Sequence, residues 1–383
     1  MRSRQYRVGP AWLAAAGAAA LSGASLHAQG GVHVTPSVSV SQQYDSNVFS
    51  TSVEPEADFI TRATVGLQLE RGTPLWTATG RYVQDMERFS DRRDLSSVAA
   101  RQRATLALRY RPSLRTSWAA DAEVWRTGTP SELNEATGLT LSRASAQRVL
   151  AHSSLDRRLS PVTSGTIDYT VTEDHLAGRT SATTHDAVAG VERHRSSREA
   201  VTFKYRFREF MFTPAAAGPA FASTSHAITA GWSRAMTSRL QLTFEAGPRV
   251  TNTTPAADLS ASVHYQSVPD VSVSYARSQT TVIGMPGVAD VQSVSAAIEW
   301  PLWSALRLRL APGLFRSALG NARADACVVA FEVTRPITHD VTVDLSVSSN
   351  LQRGGLSPGI ANASIDRHVV LVRLIAGPSS LLW

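Results

Sequence analysis

The chain has 383 residues, 38 Lys and Arg against 31 Asp and Glu, and a single cysteine. Charged residues make up 18% of it, against about 25% in typical soluble domains. One Cys excludes an intramolecular disulfide framework, and no stretch approaches the roughly 18 uninterrupted apolar residues of a membrane-spanning helix. The formal charge of +7 rests on Arg spread along the whole chain, with Lys204 the one lysine, so it is not read as nucleic-acid affinity.

Residues 1–28 read as a secretory signal peptide. Arg2, Arg4 and Arg7 precede a small apolar run from Ala11 to Leu21, and Leu26-His27-Ala28 forms a small-residue exit. Cleavage after Ala28 leaves residues 29–383 as one domain and removes three Arg and no acids, lowering the formal charge from +7 to +4. The only Cys is Cys327, so no lipid-modified Cys stands at the cut. Export removes nucleic acid as a partner and leaves the periplasm, the outer membrane of a Gram-negative envelope, or the exterior.

Beyond the leader the chain alternates with period two, the pattern of strands with one apolar and one polar face. Phe59, Thr61, Ala63, Val65, Leu67 and Leu69 oppose Arg62, Gln68 and Glu70, and Ala104, Leu106, Leu108 and Tyr110 oppose Arg103, Thr105 and Arg109. The stretch VTFKYRFREF (201–210) sets Val201, Phe203, Tyr205 and Phe207 against Thr202, Lys204, Arg206 and Arg208. Glu209 breaks its apolar parity and is placed at headgroup level. Leu240, Leu242, Phe244, Ala246 and Val250 oppose Gln241, Thr243, Glu245 and Arg249. Further on, Leu306, Leu308 and Leu310 oppose Arg307 and Arg309, and Val341, Val343, Leu345 and Val347 oppose Thr342, Asp344 and Ser346.

Eight short breaks punctuate these runs: ERGTPLW (70–76), YRPSLR (110–115), RLSPVTS (158–164), HRSSREA (194–200), RAMTSRL (234–240), SVPDVS (267–272), EWPLWSAL (299–306) and TRPITHD (334–340). Most carry Pro or Ser, the chemistry of tight turns, and between consecutive breaks sit two alternating runs joined by a longer polar loop. The pattern predicts an all-β protein, an antiparallel transmembrane β-barrel of about 18 strands with short periplasmic turns and long extracellular loops. A two-sheet sandwich explains the alternation too, but gives no reason for long strands or for turns that differ at the two ends. Trp76, Tyr110, Trp118, Tyr205, Trp232, Tyr265, Tyr275 and Trp300 fall near strand ends, where an interfacial girdle would place them.

Gln43-Tyr44-Asp45-Ser46-Asn47-Val48-Phe49, followed by Asp58-Phe59-Ile60-Thr61-Arg62 and a strand ending in Glu70-Arg71-Gly72, resembles the β-barrel porin family of outer-membrane proteins encoded beside exopolysaccharide and capsule genes. Thr64-Val65-Gly66 stands where that family often has Pro-Gly. The expected last strand, Arg367 to Ala376, precedes a Gly377-Pro378 break rather than ending on Trp383. The resemblance implies passage of a secreted polysaccharide across the outer membrane.

A barrel of this size encloses a polar lumen. Its expected lining holds Arg62, Arg103, Arg109, Lys204, Arg206, Arg208, Arg249, Arg307 and Arg309 against Glu70, Asp121, Glu123, Glu245 and Asp344. Rings of Arg favour anions and suit uronate or phosphate groups of a polymer, whereas Arg paired with acids across the lumen merely satisfies both. Glu54, Glu56 and Asp58, and Glu87, Asp91 and Asp94, are acidic loop groups suited to divalent cations or to plain solvation. Gly355-Leu356-Ser357-Pro358-Gly359 fits the nucleophile motif of hydrolases in spelling only, because that motif needs a strand-to-helix turn. No catalytic residue, cofactor or metal site is expected.

The expected function is a conduit or scaffold for polysaccharide export. Its rivals are a general diffusion porin for small solutes, a structural outer-membrane protein with a plugged lumen, and an outer-membrane hydrolase. Candidate partners are outer-membrane lipid and lipopolysaccharide, a periplasmic polysaccharide-export protein docking on the short turns, and the polysaccharide itself.

Overall fold

The computed structural model describes residues 31–215, 218–303, 305–356 and 363–377, together with the backbone of Leu26–Ala28. Eighteen long strands follow in chain order: β1 (Val32–Asp45), β2 (Asp58–Gly72), β3 (Trp76–Phe89), β4 (Ser97–Ser113), β5 (Thr116–Thr127), β6 (Ala146–Ser160), β7 (Thr163–Leu176), β8 (Ser181–Ser196) and β9 (Glu199–Thr213). The second half comprises β10 (Phe221–Ala235), β11 (Leu240–Thr251), β12 (Thr254–Tyr265), β13 (Asp270–Thr281), β14 (Val288–Trp303), β15 (Leu306–Leu319), β16 (Ala322–Pro336), β17 (Val341–Gly355) and β18 (Ser364–Ala376). Helical structure is confined to the 3-10 turns Arg93–Leu95 and Pro130–Leu133 among the described residues.

Each strand pairs antiparallel with the next. β18 returns to β1, with Val369 opposite Asp45 and Ala376 opposite Val38, so the sheet closes on itself as an 18-stranded barrel. Closure gives each of the eighteen long strands two neighbours. The expected leader lies outside the described residues except for Leu26–Ala28, which pair with Val32–Val34 as a short strand.

The two faces are sorted the opposite way from a soluble barrel. Outward-facing Phe203 and Leu314 are 61% and 57% exposed, whereas inward-facing Asp85 and Arg249 are 0% and 1% exposed. Period-two alternation in the sequence is therefore an apolar exterior wrapped around a charged interior. On adjacent strands Trp76, Tyr110 and Trp118 stand opposite one another as an outward aromatic row near the short-turn end.

The eight short breaks coincide with connections of two to four residues, all at one end of the barrel. The other end carries longer connections, including 46–57, 90–96 and 128–145, but two of its links (252–253 and 320–321) are only two residues long. Both are hairpins whose first loop residue is left-handed, Asn252 at φ +52° and Gly320 at φ +58°, the conformation that matches strand twist across a two-residue turn. One ladder is short: β12 and β13 pair only over 259–265 and 271–277, leaving 254–258 and 278–281 outside it.

Candidate functional site

The barrel interior gathers most of the expected lining, and gathers it in pairs. Arg62 Nη2 lies 2.6 Å from Glu87, Arg103 3.0 Å from Glu123, Arg109 3.0 Å from Asp121, and Lys204 Nζ 2.7 Å from Glu245. Arg206 and Arg208 share Asp186 at 3.4 and 3.1 Å, and Arg309 reaches Glu299 at 3.7 Å. Arg249, among the most buried large side chains, bonds Asp258 and lies 3.1 Å from Asp290, which also receives Arg277. Arg307 sits exposed at the short-turn end of β15 and makes no ion pair among the described residues. For the buried pairs the reason is low dielectric, since a buried charge without its counter-charge costs several kcal/mol, roughly, whereas the exposed Arg109–Asp121 and Arg309–Glu299 pairs are screened by water and contribute little.

Alternation alone did not single out Arg148 with Asp174 (2.7 Å), Arg373 with Asp344 (2.8 Å) and Arg367 with Asp45 (2.6 Å) as further pairs of this interior. The last of these explains part of the family-like motif. Asp45 ends β1 and grips Arg367 of β18, so it staples the strands that close the ring. The Asn47 side chain meanwhile bonds both the backbone of Thr51 and the carbonyl of Asp366. Asp58 accepts the backbone N–H groups of Phe59, Ser90, Asp91 and Arg92, which fastens loop 90–96 to the start of β2.

Loop 128–145, expected as a polar outer loop, instead crosses the barrel mouth. At its near end Glu132 receives Arg101 at 3.0 Å and the Thr127 hydroxyl at 2.8 Å, while Arg143 bonds Glu87 at 3.2 Å and lies over the Phe89 ring. At its far end Leu139 packs with Val282, Ala289, Val291, Ala324 and Leu356 on the opposite wall. There the Thr140 N–H donates to Gln352 Oε1 at 2.8 Å, and Asn350 Nδ2 donates to the Gly138 carbonyl at 3.2 Å. Gly138 has φ +62°, and a Cβ there would strike the Phe315 ring, so both backbone and space require glycine. The loop is a strap tied by ion pairs on one side and by an apolar cluster on the other.

Loop 282–287 meets the strap from the facing wall. The Ile283 N–H donates to Asn134 Oδ1, Ile283 packs with Leu133, Ala146 and Leu176, and Thr180 bridges Gly284. Val288 reaches Phe210 and Phe212 at the end of β9. These contacts close off one side of the mouth and leave a polar lobe along β8–β13. The lobe holds a cavity of about 90 Å³ lined by Lys204, Arg206, Thr229, Glu245, Asp258 and Ser260 among others. Its lining carries the hydroxyl residues Thr229, Ser260 and Ser278, of which Thr229 donates to Glu245.

Of the six acidic residues suited to cations in the loops, Glu54 and Asp91 are exposed and the other four are otherwise engaged. Glu87 belongs to β3 and faces inward with Arg62, while Asp58 holds the backbone nest. Glu56 and Asp94 clasp Arg92, whose hydrogen bonds hold the Asp94 carboxyl below its usual range and raise the guanidinium. No cluster of three or more metal-ligating side chains forms among the described residues. Ser357, Pro358 and Gly359 of the hydrolase-like spelling lie outside the described residues.

No protein-family model matches the sequence, and no curated protein matches it. Among solved structures, the chain is similar to the siderophore receptor PirA from Acinetobacter baumannii, with 8% identity over 90% of this chain and 80% of that one and a TM-score of 0.47. It is similar to the ferric enterobactin receptor from Pseudomonas aeruginosa, with 9% identity, 90% and 81% coverage and a TM-score of 0.47. The FrpB iron transporter from Neisseria meningitidis aligns at 9% identity over 83% and 62%, with a TM-score of 0.46. At these values the likeness says nothing of what this chain binds.

Proposed function

We propose that the protein spans the outer membrane as a closed barrel, short turns in the periplasm, and serves as conduit or scaffold for export of a secreted polysaccharide. The observation that carries the membrane reading is the face sorting on a closed ring: apolar side chains outward, charge inward. A spanning sheet must satisfy all its backbone groups internally, and closure does so. The export reading draws support from the family-like residues 43–49 and 58–62, and from an interior that offers hydroxyls and neutralised ion pairs instead of a bare field of one sign. Such a wall exchanges hydrogen bonds with a hydroxylated polymer without trapping it by net charge. The strap argues against a general diffusion porin, because a loop tied to both walls restricts free passage of small solutes, and a polymer passes only when the strap is displaced.

The test is deletion of the gene followed by assay of secreted polymer and of small-solute uptake. Loss of one extracellular polysaccharide with unchanged solute uptake is expected. Unchanged secretion would overturn the export reading.

A further inference from the structure

Arg residues inside the barrel are almost all paired; at the short-turn end they are not. Arg111, Arg115, Arg157, Arg158, Arg193 and Arg195, with Arg198, Arg234 and Arg239, crowd the ends and turns of β4–β11. All nine are exposed, and none makes a side-chain hydrogen bond or ion pair among the described residues. Like charges so placed repel one another, and the carboxylate nearest them on the outward face among the described residues is Glu199, opposite Arg234 in the β9–β10 ladder.

Four of them share one location. Arg157 on β6, Arg193 on β8 and Arg234 on β10 point outward, on the parity of Leu155, Val191 and Trp232, and each stands two residues beyond that apolar side chain toward the turn. Arg195 lies beside them at the bulge where β8 and β9 shift register. The one acid on this outward surface, Glu199, accepts the Trp232 indole N–H at 2.8 Å. The arrangement is an unpaired basic arc immediately below an apolar belt, with Trp232 at the boundary.

We infer that Arg157, Arg193, Arg195 and Arg234 form a binding arc for the phosphodiester headgroups of anionic phospholipid in the periplasmic leaflet. The inference rests on the membrane-spanning reading above. An arginine fork matches phosphate oxygens in a bidentate manner, its stem packs along apolar surface, and Trp suits the interface. The apolar belt supplies the acyl chains' side of the site, and the arc supplies the counter-charge that the headgroup needs. A zwitterionic headgroup brings no net charge to meet the four cations, so the arc discriminates by charge.

The experiment uses the full mature chain in detergent, titrated with phosphatidylglycerol or phosphatidylcholine and read by native mass spectrometry, with inorganic phosphate as competitor. Wild type is expected to retain phosphatidylglycerol over phosphatidylcholine. The Arg157→Gln, Arg193→Gln, Arg195→Gln, Arg234→Gln variant is expected to lose that preference, at about fivefold per arginine near an anionic surface. A variant with Lys at the four positions keeps the charge and is expected to retain most of the preference, which guards against misfolding of the Gln variant. Equal retention of both lipids by wild type, equal preference in wild type and the Gln variant, or full displacement by inorganic phosphate would each overturn the arc. Gel mobility with and without boiling is run on the same samples. A wild type with no heat-dependent shift sinks the membrane reading, whereas a shifted band without lipid preference sinks the arc alone.

Discussion

Arg249 lies among Asp258 from β12, Asp290 from β14 and, through Asp290, Arg277 from β13. The site coincides with the region where the β12–β13 ladder stops, so side-chain charge takes over where backbone pairing ends. Arg249→Leu leaves Asp258 without its cation in a buried site, and such losses cost about 3–5 kcal/mol. Urea unfolding of the variant in lipid vesicles is expected to shift by that amount, and a shift under about 1 kcal/mol would mean that water already screens the pair. Lys204, Arg206 and Arg208 test the interior's charge balance instead. Replacing all three with Gln, in a Gly138→Val background whose strap has left the wall, frees Glu245 and Asp186, so the reversal potential of channels formed in a planar bilayer is expected to move toward cation selectivity relative to Gly138→Val alone. An unchanged potential would remove these residues from the ion path.

At the scale of single elements the strap is the decisive part. Gly138→Val adds a branched side chain where φ is +62° and the Phe315 ring occupies the space, so the far end of the loop must leave the wall. Single-channel recording is expected to show a quiet wild type and a conducting variant; a wild type already open would show that the strap does not close the mouth. The strands and tight turns were legible in sequence because alternation and Pro/Ser breaks are local. Parity is local in the same way, so it says which face of its strand a cation takes and nothing of what it meets there. The strap was not. Leu133, Leu139 and Leu141 are the large apolar residues of the loop, the one available signal, but Ile283 in the cluster of Leu133 and Val291 in that of Leu139 lie far along the chain, and no local pattern reports what crosses a lumen. Pairing was hidden likewise: parity puts Arg206 and Asp186 on one face, and only the register between β8 and β9 brings them together.

The whole molecule depends on one long-range seam, β18 against β1, whose registered pairing covers Val38–Asp45 and Val369–Ala376 and is backed by the Asp45–Arg367 pair. Val40 and Leu374 stand directly opposite on it and face outward. Opposed strand residues have Cα atoms roughly 4.5–5.5 Å apart, within the span of a disulfide. Val40→Cys with Leu374→Cys, in a Cys327→Ser background, is expected to oxidise into a circularised chain that migrates faster than the reduced form after boiling. Absence of the fast band under oxidising conditions would contradict closure in this register.

The strap also orders events in time. Gly138 and Thr140 bind Asn350 and Gln352, each 212 residues later. Closing so long a loop carries an entropic cost that the contacts at its far end must repay, and those contacts do not exist until β17 has been laid down. Leu139 therefore has no wall to meet until Val282, Ala289 and Val291 are in place, and the strap's hydrogen bonds to Asn350 and Gln352 follow only with β17. A barrel arrested before β14 displays an apolar tether that a finished one conceals, which gives an envelope protease a simple mark of incompleteness.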